Sequence, residues 1–350
     1  MIKLTPKENK IISLFLQAGK MGSSDVHKRI TEAGEALSLV TVKRALSAMA
    51  KKGLLNRKGS GRATSYSITV LGRLFAEVDA SAYIAADPDK RYGLKSYNFD
   101  LLPFLPVEVF TDNELKTLKQ ATVEYKKKTK DLSPTIHKKE LERLVIELSW
   151  KSSRIEGNTY TLLDTEKLIL ENKPAPGKTK EETQMILNHK EAFAFAYENR
   201  SLFKELTRAN LDQMHTLVVR DLKVGRGLRK HPVGVSGSIY RPLDNIYQIT
   251  EAVEGLCRAI SKMKSPYAKS MTALLGISYI QPFEDGNKRT SRLMADALLL
   301  AQGLAPLSYR SVEENEYREA VLTFYELNSL ISFKKIFIEQ YEFAAKNYAV

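Results

Sequence analysis

Two long apolar segments, SPYAKSMTALLGISYI and RTSRLMADALLLAQ, flank the short polar run Gln281-Pro282-Phe283-Glu284-Asp285-Gly286-Asn287-Lys288. Nothing else in the chain narrows the fold as much. Each flank has the length and composition of a helix apolar on nearly every side, and such helices need neighbours all round them. From Ser133 onward the pattern agrees. KKELERLVIELSWKSSRIEG places Leu141, Leu144, Val145, Leu148 and Ser152 on one face. DTEKLILEN, ETQMILNHKEAFAFAYE, TRANLDQMHTLVVRDL and ITEAVEGLCRAISKM follow with helical periodicity. The expected strand pair in this region is Lys230–Val235 with Ser238–Arg241, turning through Ser236-Gly237.

The polar run has its own chemistry. A glycine-containing loop that opens a helix exposes unpaired backbone N–H groups, with the positive end of the helix dipole behind them. Lys288, Arg289 and Arg292 follow in the first turn and a half, where cations are unfavourable. That conflict points to an anion, and the run reads as a phosphate-binding loop. The alternative is a surface loop with an i, i+4 basic face from Lys288 to Arg292. Asp285 can hold a divalent cation, and Mg²⁺ bridging phosphates fits it.

The rest of the chain is read from charge and local signals. The 350 residues carry 54 Lys and Arg against 41 Asp and Glu, a net +13. The excess is concentrated near the start. Between Ala36 and Phe75 stand Lys43, Arg44, Lys51, Lys52, Arg57, Lys58, Arg62 and Arg73, with no acid. Such a run suits a polyanion, the alternative being a solvated face. Pro6 opens a helix with an Ile11, Leu14, Phe15, Ala18 stripe, ended by Gly19. Ser23-Ser24-Asp25 caps a second helix, Leu39 to Lys52 gives a third, and NRKGSGRATSYSIT is a hairpin signal. Residues 77–135 read as a structured connector ending in the helix TDNELKTLKQATVEYKKKTKD. The expected domains are therefore 1–76, 77–135 and 136–350. A single cysteine, Cys257, excludes an internal disulfide framework. No apolar run is long enough to span a membrane, and the start lacks a signal-peptide core, so a cytoplasmic location is expected.

Three helices followed by a basic hairpin resemble the winged helix-turn-helix family, with VTVKRALSAMAKKGLLNRKGSGRATSYSIT carrying the likeness. That resemblance implies duplex DNA as partner. Lys43 and Arg44 would enter the major groove, with Arg57, Lys58 and Arg62 on the flanking backbone or minor groove. A winged helix used for protein contacts is the alternative.

IQPFEDGNKRTSRL is similar to the signature of the Fic family, HPFx(D/E)GN(G/K)RxxR. The expected fold class is thus mainly α: a winged helix, then an all-α Fic fold with a β-hairpin flap. The resemblance implies transfer of AMP, or of phosphate in the death-on-curing branch, from a nucleotide to a protein hydroxyl. ATP and Mg²⁺ are the implied cofactors. Gly286, Asn287, Lys288, Arg289 and Arg292 are the implied nucleotide-binding residues, and Asp285 the metal ligand. Ser152-Ser153-Arg154-Ile155-Glu156-Gly157 resembles the family's inhibitory motif, (S/T)xxxE(G/N). By position, Ser152, Glu156 and Gly157 carry it, and Glu156 would pair with Arg292 against the γ-phosphate; an ordinary helix-end ion pair is the alternative. HPVGVSGSIYRP resembles the family's flap, with Ser236, Gly237 and Ser238 at its tip, holding a target by strand addition.

Two residues depart from the family. Gln281 replaces the signature His, the general base, and a carboxamide takes no proton near neutral pH. Losing a positioned base costs about 10²–10⁴-fold in rate. His27, His137, His189, His215 and His231 lie outside the signature and are assigned no such role. Lys288 stands where AMP-transferring members mostly carry Gly, which leaves phosphate transfer open. Three readings result. The chain is a DNA-binding regulator with an impaired nucleotide-binding Fic domain. Or it is an autoinhibited protein modifier in which Gln281 is an inactivating substitution, natural or introduced. Or it is a structural, homodimerising module attached to a winged helix.

Overall fold

A computed structural model describes residues 3–350; the side chain of Arg62 lies outside the described set. The chain divides into two compact units. One comprises 1–106 with 235–241 and 319–334; the other comprises 107–234, 242–318 and 335–350. Residues 77–135 are thus shared between the units at Pro106.

In the first unit, helix α1 (Pro6–Ala18) is closed by a capping box in which Thr5 and Glu8 satisfy each other's N–H groups. Strand β1 (Lys20–Gly22), helices α2 (Ser23–Glu32) and α3 (Leu39–Lys51), and strands β2 (Leu55–Lys58) and β3 (Ser65–Ile68) follow. The sheet order is β1-β3-β2, all antiparallel, with Met21 opposite Tyr66 and Arg57 opposite Tyr66 on the other side. β1 is too short to announce itself in sequence; it forms because β3 offers a free edge. Ile11, Ile12, Phe15 and Leu16 are buried, so the α1 stripe is displaced by one residue from the expected Leu14 and Ala18 positions. Val26, Ile30, Val42, Leu46 and Met49 complete this core. Short helices α4 (Val70–Leu74) and α5 (Ala80–Ile84) come next.

The second unit is helical. It holds α6 (Asp112–Thr129), α7 (Pro134–Ile155), α8 (Leu162–Glu171), α9 (Lys180–Glu198), α10 (Arg208–Val218), α11 (Ile246–Ser261), α12 (Pro266–Ile280) and α13 (Asn287–Leu300). Two further helices, α14 (Glu314–Leu327) and α15 (Ile331–Asn347), contribute to both units. α12 and α13 are buried along almost their whole length, as their composition demands, and the Ser270 hydroxyl donates to the Ala295 carbonyl between them at 3.0 Å. Among the described residues no helix is long and apolar enough to cross a membrane.

The expected strand pair across Lys230–Arg241 is not formed. The chain does reverse, with the Ser238 N–H on the Val235 carbonyl at 3.1 Å, but no ladder follows. The sole bridge there among the described residues is parallel, Ser96 with Arg241. Beyond Ser238 the N–H groups of the second limb go elsewhere: Ile239 to Glu326, Tyr240 to the Ser238 hydroxyl and Arg241 to the Lys95 carbonyl.

Candidate nucleotide site and nucleic-acid interface

The α12–α13 connection is built by two residues with left-handed backbone. Gln281 closes α12 at φ 51, and Gly286 precedes α13 at φ 78. A Cβ on Gly286 would approach Val219 to 3.0 Å, so both backbone angle and space demand glycine there. Between them, Asn287 closes the loop on itself. Its carboxamide accepts from the Phe283 N–H and donates to the Phe283 carbonyl, both at 2.8 Å. The Asn287 side chain is therefore committed to loop shape, leaving its backbone N–H for a ligand. Gly286 supplies no side-chain cap, so the first N–H groups of α13 are uncapped.

The basic residues divide by helical spacing. Arg289 faces back along the helix to Asp285, Nη2 to Oδ2 at 3.0 Å; Asp285 itself is largely exposed. Arg289 is almost fully buried, and its Nη1 has no hydrogen-bond partner. Lys288 and Arg292, four residues apart, both face Glu156. Arg292 Nη2 donates to Glu156 Oε1 at 2.8 Å, and the Lys288 ammonium lies 3.5 Å from Oε2. The Ser152 hydroxyl and carbonyl accept from Arg292 Nε and Nη2 at 2.8 and 2.9 Å. α7 ends just before Glu156, and Gly157 at φ 95 turns the chain away, N–H on the Arg154 carbonyl at 2.9 Å. Burial pushes the Glu156 carboxyl up, but Arg292, Lys288 and Arg289 outweigh it and hold it below the usual carboxylate range. Asp296, one turn beyond Arg292, is pushed well above the usual carboxylate range by burial, and its Oδ1 accepts from the Leu307 N–H at 2.7 Å.

Gln281 does not project a base into the loop. Its Nε2 donates to the Ser278 carbonyl at 2.6 Å, folded back on its own helix. Arg229, unassigned from sequence, binds this corner: Nε to the Gln281 carbonyl at 2.6 Å and backbone N–H to the Pro282 carbonyl at 2.9 Å. Its Nη1 reaches the His231 carbonyl at 2.9 Å. Two histidines also enter the site. His215 stacks on Phe283 with ring centroids 3.7 Å apart, Nε2 on the Asp285 carbonyl at 3.0 Å. A carbonyl only accepts, so Nε2 carries the proton. Burial, assisted by Arg289, pulls the His215 pKa down to about 4. His189 Nε2 meets the Ser152 hydroxyl at 2.8 Å, and burial holds this ring neutral too. Neither histidine had a sequence signal; both are placed by α9 and α10 packing on α13.

In the other unit, Lys43 and Arg44 are exposed near the start of α3, and Arg57 and Lys58 are exposed on β2. None of the four is ion-paired among the described residues. Lys52 is neutralised, 2.6 Å from Glu8. Also in this unit, Ser236 and Gly237 are exposed, whereas the Ser238 hydroxyl donates to Glu326 at 2.7 Å.

The family comparisons agree with both parts. The Fic/DOC family profile matches residues 205–299, and the penicillinase repressor profile matches residues 4–86. A protein adenylyltransferase Fic of Nematostella vectensis is 29% identical over 181 residues, covering 49% of this chain and 41% of that protein. The chain thus spans less than half the length of that relative. Fic-1 from C. elegans has a TM-score of 0.56 at 19% identity, over 67% of this chain and 71% of that one. A Fic family protein from Desulfovibrio desulfuricans G20 gives 0.57 at 19%, over 69% and 76%. With signature loop, helical fold and winged helix all accounted for, the chain carries a Fic/DOC domain over residues 205–299 and, ahead of it, a penicillinase-repressor-type winged helix over residues 4–86.

Proposed function

We propose that this protein is a cytoplasmic DNA-binding regulator whose Fic domain binds a nucleotide such as ATP and is held in a poorly transferring state. The observation that carries the reading is the closure of Glu156 over Arg292 and Lys288. The Glu156 carboxylate, with one oxygen on each, occupies the Arg292 Nη2 and the Lys288 ammonium that a phosphate would use. The uncapped N–H groups of α13, with Arg289 and Arg292 beside them, supply anion-binding capacity once Glu156 is displaced. Among the described residues no three acidic, His or Cys side chains cluster as a metal cage. A Mg²⁺ would therefore be held by Asp285 together with nucleotide phosphates, where it would neutralise phosphate charge.

The impairment is supported by Gln281, whose amide is turned onto the Ser278 carbonyl, and by the neutral His215, whose Nε2–H is engaged on Asp285. The Gln281 amide takes no proton, and the remaining lone pair of His215, on Nδ1, is buried away from a target hydroxyl. The DNA role is supported by the unpaired, exposed Lys43, Arg44, Arg57 and Lys58. A second reading, protein AMP transfer, is favoured by the names of the relatives, with a protein hydroxyl as acceptor. Incubation with ATP labelled on the α- or γ-phosphate tests both. The unaltered chain should incorporate neither label. Robust α-label transfer by it would overturn the impairment.

A further inference from the structure

The turn at Val235–Ser238 is tied down by a buried carboxylate and by an extended segment of the same compact unit. Glu326, on α14, is fully buried. Its Oε1 accepts from the Ser238 hydroxyl at 2.7 Å, the Ile239 N–H at 3.2 Å and Arg91 Nη1 at 2.9 Å. Its Oε2 accepts from the Tyr83 hydroxyl at 2.8 Å. Arg91 uses Nη2 on the Gly237 carbonyl at 2.7 Å. The Arg241 N–H donates to the Lys95 carbonyl at 3.0 Å, the contact of the parallel Ser96–Arg241 bridge. Leu94 is anchored in turn, its N–H on the Glu326 carbonyl at 2.6 Å.

Three backbone groups that strand addition could use are therefore engaged inside the chain, the Gly237 carbonyl and the Ile239 and Arg241 N–H groups, with the Ser238 hydroxyl held by Glu326 beside them. The partner on the Arg241 side is an extended peptide running parallel to it. We infer that the segment Leu94–Tyr97 is a tethered occupant of the flap edge, so that an incoming target peptide must displace it and enter in the same parallel sense. This rests on the reading of Ser236–Ser238 as a target flap. Tethering gives the segment an effective concentration on the order of mM, which excludes targets of weaker affinity. Lys95 and Ser96 are exposed and can leave the edge at little apolar cost, whereas Leu94 is half-buried and Tyr97 is buried and anchors the far end of the segment. The Arg91–Glu326 pair is the latch.

Gly93 gives a way to open it. Its φ is +134, and a Cβ there would fall 2.6 Å from the Glu326 carbonyl oxygen and 3.2 Å from the Tyr83 hydroxyl. Gly93→Ala should push the segment off. Glu326→Gln keeps the shape but weakens the charge-assisted bonds, and guards against a folding defect in the first variant. Hydrogen exchange on the full chain should find the Ile239 and Arg241 amides protected, and exchanging at least about tenfold faster in both variants. Unchanged exchange in both would overturn the occupancy. In a Gln281→His, Glu156→Gly background with α-labelled ATP, adding Gly93→Ala should raise label in lysate proteins several-fold. Released amides with unchanged or falling label would overturn the blocking role. No label in any background would sink the transferase reading, and the blocking role with it, while the exchange result would separate that failure from a failure of the occupancy.

Discussion

The Glu156 carboxylate lies 2.8 Å from the Arg292 guanidinium and 3.5 Å from the Lys288 ammonium, using one oxygen for each. One acidic side chain at the end of α7 thereby neutralises two of the three cations that open α13. The third, Arg289, is left to Asp285.

Removing this carboxylate should free the site for phosphate. Glu156→Gly is expected to tighten ATP binding by about 10-fold or more, measured by calorimetric titration with Mg²⁺ present. Unchanged affinity would mean that Glu156 does not compete with nucleotide. The same variant should be less stable without nucleotide, because truncating one partner of a buried pair costs about 3–5 kcal/mol. Ser152 still holds Arg292, so the lower end is expected.

Restoring a base should restore chemistry. Gln281→His with Glu156→Gly is expected to gain about 10²–10⁴-fold in transfer over Glu156→Gly alone, followed by label incorporation. Label from the α-phosphate would identify AMP transfer. Label from the γ-phosphate alone would assign phosphate transfer and tie it to Lys288.

Acid should destabilise the second unit in two steps. His215 has a folded pKa lowered to about 4, beneath its ordinary value near 6.5. The folded state therefore favours the neutral ring. That contribution is complete above about pH 6.5 and lost as pH falls toward 4, on the order of 3 kcal/mol. Glu156, also lowered, contributes above its ordinary range near 4.5 and loses that contribution at still lower pH. Thermal melts of His215→Phe, which keeps a ring on Phe283, should show a smaller first step, the remainder coming from His189, which burial also holds neutral. A melt with no difference between pH 7 and pH 5 in the unaltered chain would refute it.

DNA binding should be electrostatic and local. In the full chain, Lys43→Ala, Arg57→Ala or Lys58→Ala should weaken duplex binding and each reduce the salt slope by about one per lost phosphate contact. Lys52→Ala should do much less, since Lys52 is paired with Glu8. Equal losses at Lys52 and Lys43 would argue against the surface assigned here.

Local order was legible in the residues. Thr5-Pro6, Ser133-Pro134 and Ser265-Pro266 begin helices where those pairs stand, because an N-cap hydroxyl and a proline at the first turn act within four residues. The signature loop was legible too, since Gly286 and the apolar helices on either side are contiguous. The Glu156–Arg292 pairing came from family resemblance rather than spacing, as 136 residues separate the two. The absence of a hairpin ladder is not legible for a related reason: alternation shows that a segment can be extended, not which neighbour will take its N–H groups.

The sequence alone determined the helices, their caps, the glycine-governed turn before α13 and the concentration of positive charge on α3 and β2, because each depends on bonds or charges close in the chain. Tertiary structure decided the rest. It brought Ser152 and Glu156 to Arg292, slid His215 beneath Phe283, folded the Gln281 amide onto Ser278, and gave the Val235–Arg241 limb to Arg91, Lys95 and Glu326. Those choices turn on which buried polar groups find partners once helices from distant segments pack together, and that is settled by the packing rather than by any local run of residues.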